Sequence, residues 1–402
     1  MTAPASRRPL APRAVEPLRL LFVSHSFPLP GRPLSNVGGM QRIAQDFLAA
    51  LRRHPGAAVE TLLLETSWEA THRRAVPFFA RLLREIPARA GDGRAAVVLH
   101  SSLVTASTAV VLAGRVRRAG ARTAAIAIGR DLTLPVAPYQ WFVPRVMRAL
   151  DAIFPISDAT AAECLARGAD PGRLQVIPCG VDTTRFAPPP DRAAARAALL
   201  ARLGGAVPDG SFVLCSVGRH YERKGFHWFV EAVLPMLPPD VHLVLAGEGP
   251  LTPAIRAAAA RAGVSGRLHL PGQAPAETIQ ALYAGADLFV MPNLAVPGDI
   301  EGFGVVMLEA GASGLPVVGA DLEGIATAIR EGENGTLVPS GDAAAFAARI
   351  LAFRDDRAAL ASASARGAAF VARTYAWDAI ADSFVRALAE RPAPAARVPA
   401  PT

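Results

Sequence analysis

Glu301 and Glu309 bracket the stretch EGFGVVMLE, in which Gly302 and Gly304 flank Phe303 and an apolar run starts at Val305. Glycines permit tight or left-handed backbone, and an apolar run after them reads as a loop turning into a buried helix. The first N–H groups of such a helix have no internal partner and suit an anion such as a diphosphate. One carboxylate then stands just before the helix and the other just over a turn inside it, so the two can reach different parts of one ligand. A solvated loop Glu plus an ordinary helix Glu is the plainer alternative. A second cluster, GRHYERKG, follows an apolar run ending at Gly218. It carries Arg219 and Lys224, the only lysine against 41 arginines. A guanidinium fork beside a compact ammonium suits two linked phosphates, and two solvated surface cations are the alternative. Nearer the N-terminus, Gly38 and Gly39 would let backbone approach a ligand closely, or simply make a turn.

These residues need elements that hold them at a common edge. LRLLFVSH (18–25) reads as a strand, and MQRIAQDFLAALRR after the glycine pair has helical spacing. Strands are expected at 58–65, 95–100, 122–128, 152–157 and 173–178, with helices at 68–89, 102–119 and 158–167. FAPPPDR at 186–192 marks a domain boundary. The pattern then restarts, with strands at 211–218, 241–247, 267–272, 286–292, 315–320 and 334–339. Helices are expected at 226–237, 251–263, 275–284, 342–353, 356–373 and 376–389. Short apolar runs alternating with amphipathic helices imply parallel strands covered on both faces. The fold class is therefore α/β, with two Rossmann-like, doubly wound parallel-sheet domains facing a cleft. Open parallel sheets bind ligands beyond their carboxyl edges, so both clusters should face that cleft. The expected divisions are a disordered tail at 1–17, domains at 18–186 and 187–375, a helix at 376–390 crossing back to the first domain, and a disordered tail at 391–402.

Composition narrows the classes. A chain of 402 residues, 51% of them hydrophobic, can bury two cores. Cys164, Cys179 and Cys215 lie far apart without metal-ligand spacing, which argues against a disulfide framework or a zinc site and for a reducing compartment. The longest uncharged apolar stretch, 95–114, contains His100 and several hydroxyls and reads as a strand entering a helix, not a membrane span. No apolar signal-peptide core follows Arg7 and Arg8. The net charge of +8 is uneven: residues 1–200 hold 26 Arg and 14 acids (+12), and residues 201–402 hold 16 cations and 20 acids (−4). A basic first half points to an anionic partner, either a membrane surface or a phosphorylated acceptor, unless the arginines only solvate the surface. No nucleic-acid-binding motif is present, so nucleic acid is not an expected partner.

The chain resembles the retaining glycosyltransferases of family four (glycosyl transferases group 1), which have the GT-B fold. The resemblance runs over about residues 18–389 and rests on VGGMQ, VIPCGVDTTRF, VGRHYERKG, AGEGP, PGDIEGFGVVMLEAGASGLPVV and ENGTLVPSGD. It implies a nucleotide-diphosphate sugar as donor, held mainly by the second domain, and transfer to an acceptor hydroxyl with retention of anomeric configuration. Arg219 and Lys224 would grip the diphosphate, with Gly218 beside them. Glu309 would bind the ribose hydroxyls. Glu301, with backbone from Gly302 through Phe303 and Gly304 to Val305, would bind the transferred sugar. Gly38 and Gly39 would close over the diphosphate from the first domain. Glu301, Arg219 and Lys224 form the implied catalytic set. No cofactor is implied, and with no D-x-D pair the cations stand in for a metal ion. The acceptor is a sugar, lipid-linked or small, in glycan, glycolipid or envelope polysaccharide synthesis. The expected location is cytoplasmic, either free or peripheral at the inner face of the membrane. A sugar-nucleotide epimerase or phosphorylase of the same architecture, or a non-catalytic nucleotide-sugar-binding protein, is the alternative.

The chain departs from that pattern at three places, Ile128, Cys179 and 322–325, and His100 is a further residue with two readings. Ile128 in AIAIGRD stands where the family often has a histidine, with Arg130 or Asp131 as its substitute or as an ordinary loop ion pair. His100 ends another strand and either enters the cleft or lies in the core. Cys179 replaces the asparagine usual before Gly-Val-Asp, in a turn read as structural. LEGI at 322–325 stands where many relatives have a glycine pair.

Overall fold

The computed structural model describes residues 16–32, 39–67, 69–134 and 136–391. Gly38 and the bulk of the two expected tails lie outside these residues. Among them the first sheet contains β1 (Leu18–Phe27), β2 (Ala57–Glu65), β3 (Val97–His100), β4 (Arg122–Ala127) and β5 (Ala152–Pro155). The second contains β6 (Phe212–Val217), β7 (Val241–Ala246), β8 (Leu268–Gly272), β9 (Leu288–Met291), β10 (Val317–Asp321) and β11 (Thr336–Pro339). Their orders are β2-β1-β3-β4-β5 and β11-β10-β9-β6-β7-β8. All the pairings are parallel. VVLH, AIFP and LFVM are buried at every position, which explains why these strands read as unbroken apolar runs.

In each sheet the strand order reverses direction once, between β1 and β3 and between β6 and β9. At such a point adjacent crossovers leave to opposite faces and open a crevice at the carboxyl edge. The two edges meet directly. A Cβ on Gly302, in the loop after β9, would lie 2.3 Å from Ile128 O at the end of β4, so only glycine permits this approach. Asp158 and Thr327 hydrogen-bond across the same seam. The Trp377–Glu390 helix packs on the Gly39–Arg53 helix of the first domain, with Phe384 4.5 Å from Phe47 and 4.9 Å from Phe154, centroid to centroid.

Several elements differ from the sequence reading. Residues 173–178 form no strand: Leu174 makes one bridge to Ile153, and Gln175 and Ile177 donate to Ile153 O and Pro155 O, giving an irregular edge beside β5. The expected helix at 226–237 is split into an α turn (Phe226–Trp228), a π segment (Phe229–Val233) and a 3-10 turn (Leu234–Met236). Pro235 cannot donate a backbone hydrogen bond, so the regular ladder ends before it. Helices at Ala137–Ala149 and Arg192–Arg202 have no counterpart in that reading. Pro138 and Pro144 disguise the first, and the proline cluster before Asp191 drew attention from the second. Among the described residues no helix is long and apolar enough to cross a membrane.

Candidate active site

The loop from β6 carries the cations. His220 anchors it: its backbone N–H donates to Glu248 O, its Nδ1 lies 2.8 Å from Thr252 Oγ1, and its ring meets Phe226 edge-on. A Cβ on Gly249 would come within 2.6 Å of His220 O, so the neighbouring AGEGP turn must also be glycine to close on this loop. Gly218 leaves β6 beside the Lys224 side chain. Arg219 is exposed, its guanidinium 4.7 Å above the Tyr221 ring. Lys224 is 7% exposed and donates to Glu301 Oε2 at 2.5 Å.

Glu301 is therefore the centre of a buried ionic cluster. Its Oε2 also accepts from Asn293 Nδ2 at 3.0 Å and lies 3.5 Å from Arg223 Nε. Arg223 in turn donates to both oxygens of Asp299, at 3.1 and 3.0 Å. Burial would push the Glu301 carboxyl up, but Lys224, Arg223 and the hydrogen bonds from Lys224 and Asn293 hold it below the ordinary range. Its backbone N–H donates to Glu323 Oε2 at 2.5 Å. Glu323 has φ +48°, a backbone conformation that glycine adopts more readily than other residues. Burial and then the Glu301 charge push the Glu323 carboxyl up, against that hydrogen bond. A Cβ on Gly324 would lie 2.1 Å from Gly302 O, so the two loops touch backbone to backbone.

Gly304, at φ +82°, turns this loop into the Val305–Ala312 helix, and no side chain caps the helix start. Phe303 is buried against Tyr375, so only its backbone faces the loop. Val305 is partly buried. Glu309, on the same helix, is 3% exposed; its oxygens accept from Arg42 Nη1 at 2.9 Å and Tyr283 Oη at 3.0 Å. Arg42 comes from the helix that Gly39 opens, so this pair bridges the two domains. Gly39 is exposed, and a Cβ there would meet nothing within 4 Å. One turn on from Arg42, Asp46 has its carboxyl pushed up to about 6 by burial, opposed by Arg42 and Arg185 and reinforced by Asp182 and Glu309.

The structure thus brings Lys224 to Glu301 and leaves Arg219 standing clear of them, while Glu309 lies in a separate cluster with Arg42 and Tyr283. Arg42, Arg223, Asn293, Tyr283 and Glu323 escaped the sequence reading. Of these only Arg223, in the ERK triplet beside Lys224, and Glu323, in place of a glycine, left a local signal. Asp131 does not substitute for the histidine. It is 3% exposed, and its carboxylate accepts from the backbone N–H groups of Leu103, Ile128 and Gly129. Arg130 instead reaches across the cleft, 3.9 Å from Asp299. Ile128 is buried in the core. His100 is likewise a core residue, 1% exposed and pushed down to about 3 by burial. Cys179 is buried, its thiol pushed up to about 12 by that burial, and Gly180 lies so close to Trp377 that a Cβ would come within 2.5 Å.

A family model described as Glycosyl transferases group 1 matches residues 211–356, and one described as Glycosyltransferase Family 4 matches residues 37–185. The D-inositol 3-phosphate glycosyltransferase of Xylanimonas cellulosilytica is 36% identical over 262 residues, 62% of this chain and 60% of that protein. The GDP-mannose-dependent alpha-(1-6)-phosphatidylinositol monomannoside mannosyltransferase of Mycolicibacterium smegmatis is 34% identical over 243 residues, 58% of this chain and 61% of that protein. The chain thus spans about three-fifths of the length of these curated relatives. The structure of Anabaena Alr3699/HepE in complex with UDP-glucose has a TM-score of 0.70 at 19% identity, covering 92% of this chain and 99% of that one. That likeness is one of fold, the GT-B arrangement of two parallel-sheet domains.

Proposed function

Because the chain belongs to the family 4, group 1 glycosyltransferases, we propose that it moves a sugar from a nucleotide-diphosphate donor to an acceptor hydroxyl with retention of anomeric configuration. The observation that carries the reading is the buried Lys224–Glu301 pair, at the carboxyl edge of the second sheet, with the exposed Arg219 on the same loop. In the reaction the bond between the anomeric carbon and the phosphate oxygen breaks, and its electron pair leaves with the diphosphate. Arg219, Lys224 and the start of the Val305–Ala312 helix stabilise that growing negative charge. Glu301 holds hydroxyls of the sugar and offsets positive charge on its ring. The acceptor oxygen bonds to the anomeric carbon on the face the diphosphate leaves, and its proton passes to the departing phosphate oxygen. This route needs no dedicated protein base and no metal ion. Glu309 binds the ribose, taking the diol in place of Arg42. The acceptor is a sugar, lipid-linked or small, and the enzyme works in the cytoplasm at the inner membrane surface. The curated relatives' printed activities, on an inositol phosphate and a phosphatidylinositol mannoside, support an anionic acceptor class.

A thermal-shift panel of nucleoside diphosphates and their sugars tests the donor class, because a ligand that binds only the folded state raises its melting temperature. One nucleoside diphosphate should raise it and should do so less in Arg219→Ala. If no member of the panel shifts the wild type, the donor reading is wrong.

A further inference from the structure

At the amino edge of the first sheet, away from the cleft, lies a cavity of about 440 Å³. Buried Val97, Ala124 and Ala152, near the starts of β3, β4 and β5, line it together with Leu388 from the Trp377–Glu390 helix. β4 runs six residues from this cavity toward the cleft, which puts about 20 Å between the two. Three arginines also line the cavity: Arg122 opens β4, Arg173 closes the Pro171–Arg173 turn, and Arg391 follows the last helix. All three are partly buried. The carboxylate that shares the cavity, Asp151, is already taken. Its Oδ1 accepts from Arg117 Nε at 2.6 Å, and its Oδ2 accepts from the N–H and the hydroxyl of Thr123 at 2.9 and 3.0 Å.

Backbone carbonyls use only part of this donor capacity, since a guanidinium has five N–H groups. Arg122 donates through Nη1 to Arg391 O, and Arg391 through Nη1 to Arg173 O at 3.3 Å. Arg173 donates through Nη1 to Arg148 O and Leu150 O, and its Nε lies 3.4 Å from Asp170. Among the described residues Arg122 and Arg391 pair with no carboxylate. Burial pushes the Arg122 guanidinium below its ordinary range, opposed by Asp151 and reinforced by Arg391, and burial pushes Arg391 the same way. Two partly desolvated cations side by side are unfavourable unless an anion joins them. The hollow at the amino edge of the second sheet makes the contrast. It also has three arginines, but Asp287 there pairs with Arg196 at 3.0 Å and Arg357 at 3.1 Å, so the protein itself answers the charge. Phosphate oxygens match the fork of a guanidinium, and the cavity has room for a small molecule that carries such a group. We propose that Arg122, Arg173 and Arg391 form a second anion site, which takes the phosphate group of a small ligand and ties the end of the last helix to the first sheet. The proposal does not rest on the donor-site reading, because the cavity lies at the other end of the strands.

The test is thermal unfolding and isothermal titration of the full chain with potassium phosphate and with glycerol 3-phosphate, each against potassium chloride at equal ionic strength. Phosphate should raise the melting temperature saturably, by roughly 5–10 °C at a hundredfold excess over its dissociation constant. Glycerol 3-phosphate should do the same, and the tighter binder of the two identifies free phosphate or a phosphate ester as the ligand. Arg122→Gln and Arg391→Gln should each weaken binding roughly tenfold, the loss of one charge-assisted hydrogen bond. Arg219→Ala, on the loop from β6, should leave this binding unchanged. Arg391 stands after the last helix, so its change leaves both sheets folded, and melting temperatures in chloride verify the fold of each variant. A shift that chloride reproduces overturns the proposal, as does undiminished binding in both Arg122→Gln and Arg391→Gln. Binding that only Arg219→Ala abolishes would place the phosphate in the donor site instead.

Discussion

Lys224→Met and Glu301→Gln, alone and together, test whether the cluster at the second-domain edge is one coupled unit. The pair is 2.5 Å apart, with side chains 8% and 10% exposed. Removing one partner of a buried ion pair costs about 3–5 kcal/mol. Lys224→Met falls at the low end, about 3 kcal/mol, because Glu301 keeps Asn293 at 3.0 Å and Arg223 at 3.5 Å. Glu301→Gln keeps an oxygen for Lys224 but loses the charge, which costs about 2 kcal/mol. For domains of this size 1 kcal/mol moves the melting temperature by roughly 2–4 °C, so Lys224→Met should melt roughly 6–12 °C lower. The double variant should lose about 2 kcal/mol less than the sum of the single changes. Urea unfolding measures that coupling, and initial-rate kinetics should show kcat reduced by about 10²–10³ in each single variant. The cycle also has a pH signature. The Glu301 carboxyl is held below its ordinary 4.5, so its stabilising contribution is present above that value and is lost as pH falls through the lower folded value. The stability gap between wild type and Glu301→Gln should therefore be constant near neutrality and close in acid. A coupling under about 0.5 kcal/mol, the range of independent sites, would refute the cluster. Full activity in either single variant would refute its role.

Three further changes probe the surrounding contacts. Arg42→Ala frees one oxygen of Glu309 from a pair whose arginine is half exposed, so the nucleotide should bind up to about fivefold tighter in a titration, at little cost in stability. Weaker nucleotide binding would mean that Arg42 holds the ligand itself. Asp46 has a folded value raised to about 6 from 3.8, so its contribution to stability is fully present below 3.8 and is lost as pH rises through 6. Asp46→Asn should therefore be more stable than wild type at pH 8 by about 1–3 kcal/mol, with the difference vanishing near pH 4, as read by denaturant unfolding across pH. Glu323→Gly relieves about 1 kcal/mol of backbone strain at φ +48° but removes the acceptor of the Glu301 N–H. Its melting temperature should stay within about 3 °C of wild type while kcat falls, and an unchanged kcat would show that Glu323 does not position Glu301.

The sequence alone is enough to read two parallel sheets and most of their strands. A strand buried on both faces must be a short unbroken apolar run, and VVLH, AIFP and LFVM could hardly be anything else. It also shows Lys224 and Glu301 as unusual, one as the only lysine and the other by its glycine setting. Local pattern failed where tertiary contacts overrode it. Residues 173–178 have strand composition, but only Leu174 finds a bridge. Asp131 reads in the sequence as a substitute for the histidine or as a loop ion pair, whereas its carboxylate accepts from three backbone N–H groups. The partners of the two glutamates were beyond local reading altogether. Lys224 and Glu301 are 77 residues apart, and Arg42 and Glu309 are 267 apart, in different domains. Spacing along the chain encodes helix faces and strand alternation, whose periods are a few residues. Which strand ends become neighbours depends on sheet order, and which domain surfaces meet depends on backbone contacts such as Gly302 on Ile128. Those distances exist only once both sheets have formed and closed on each other.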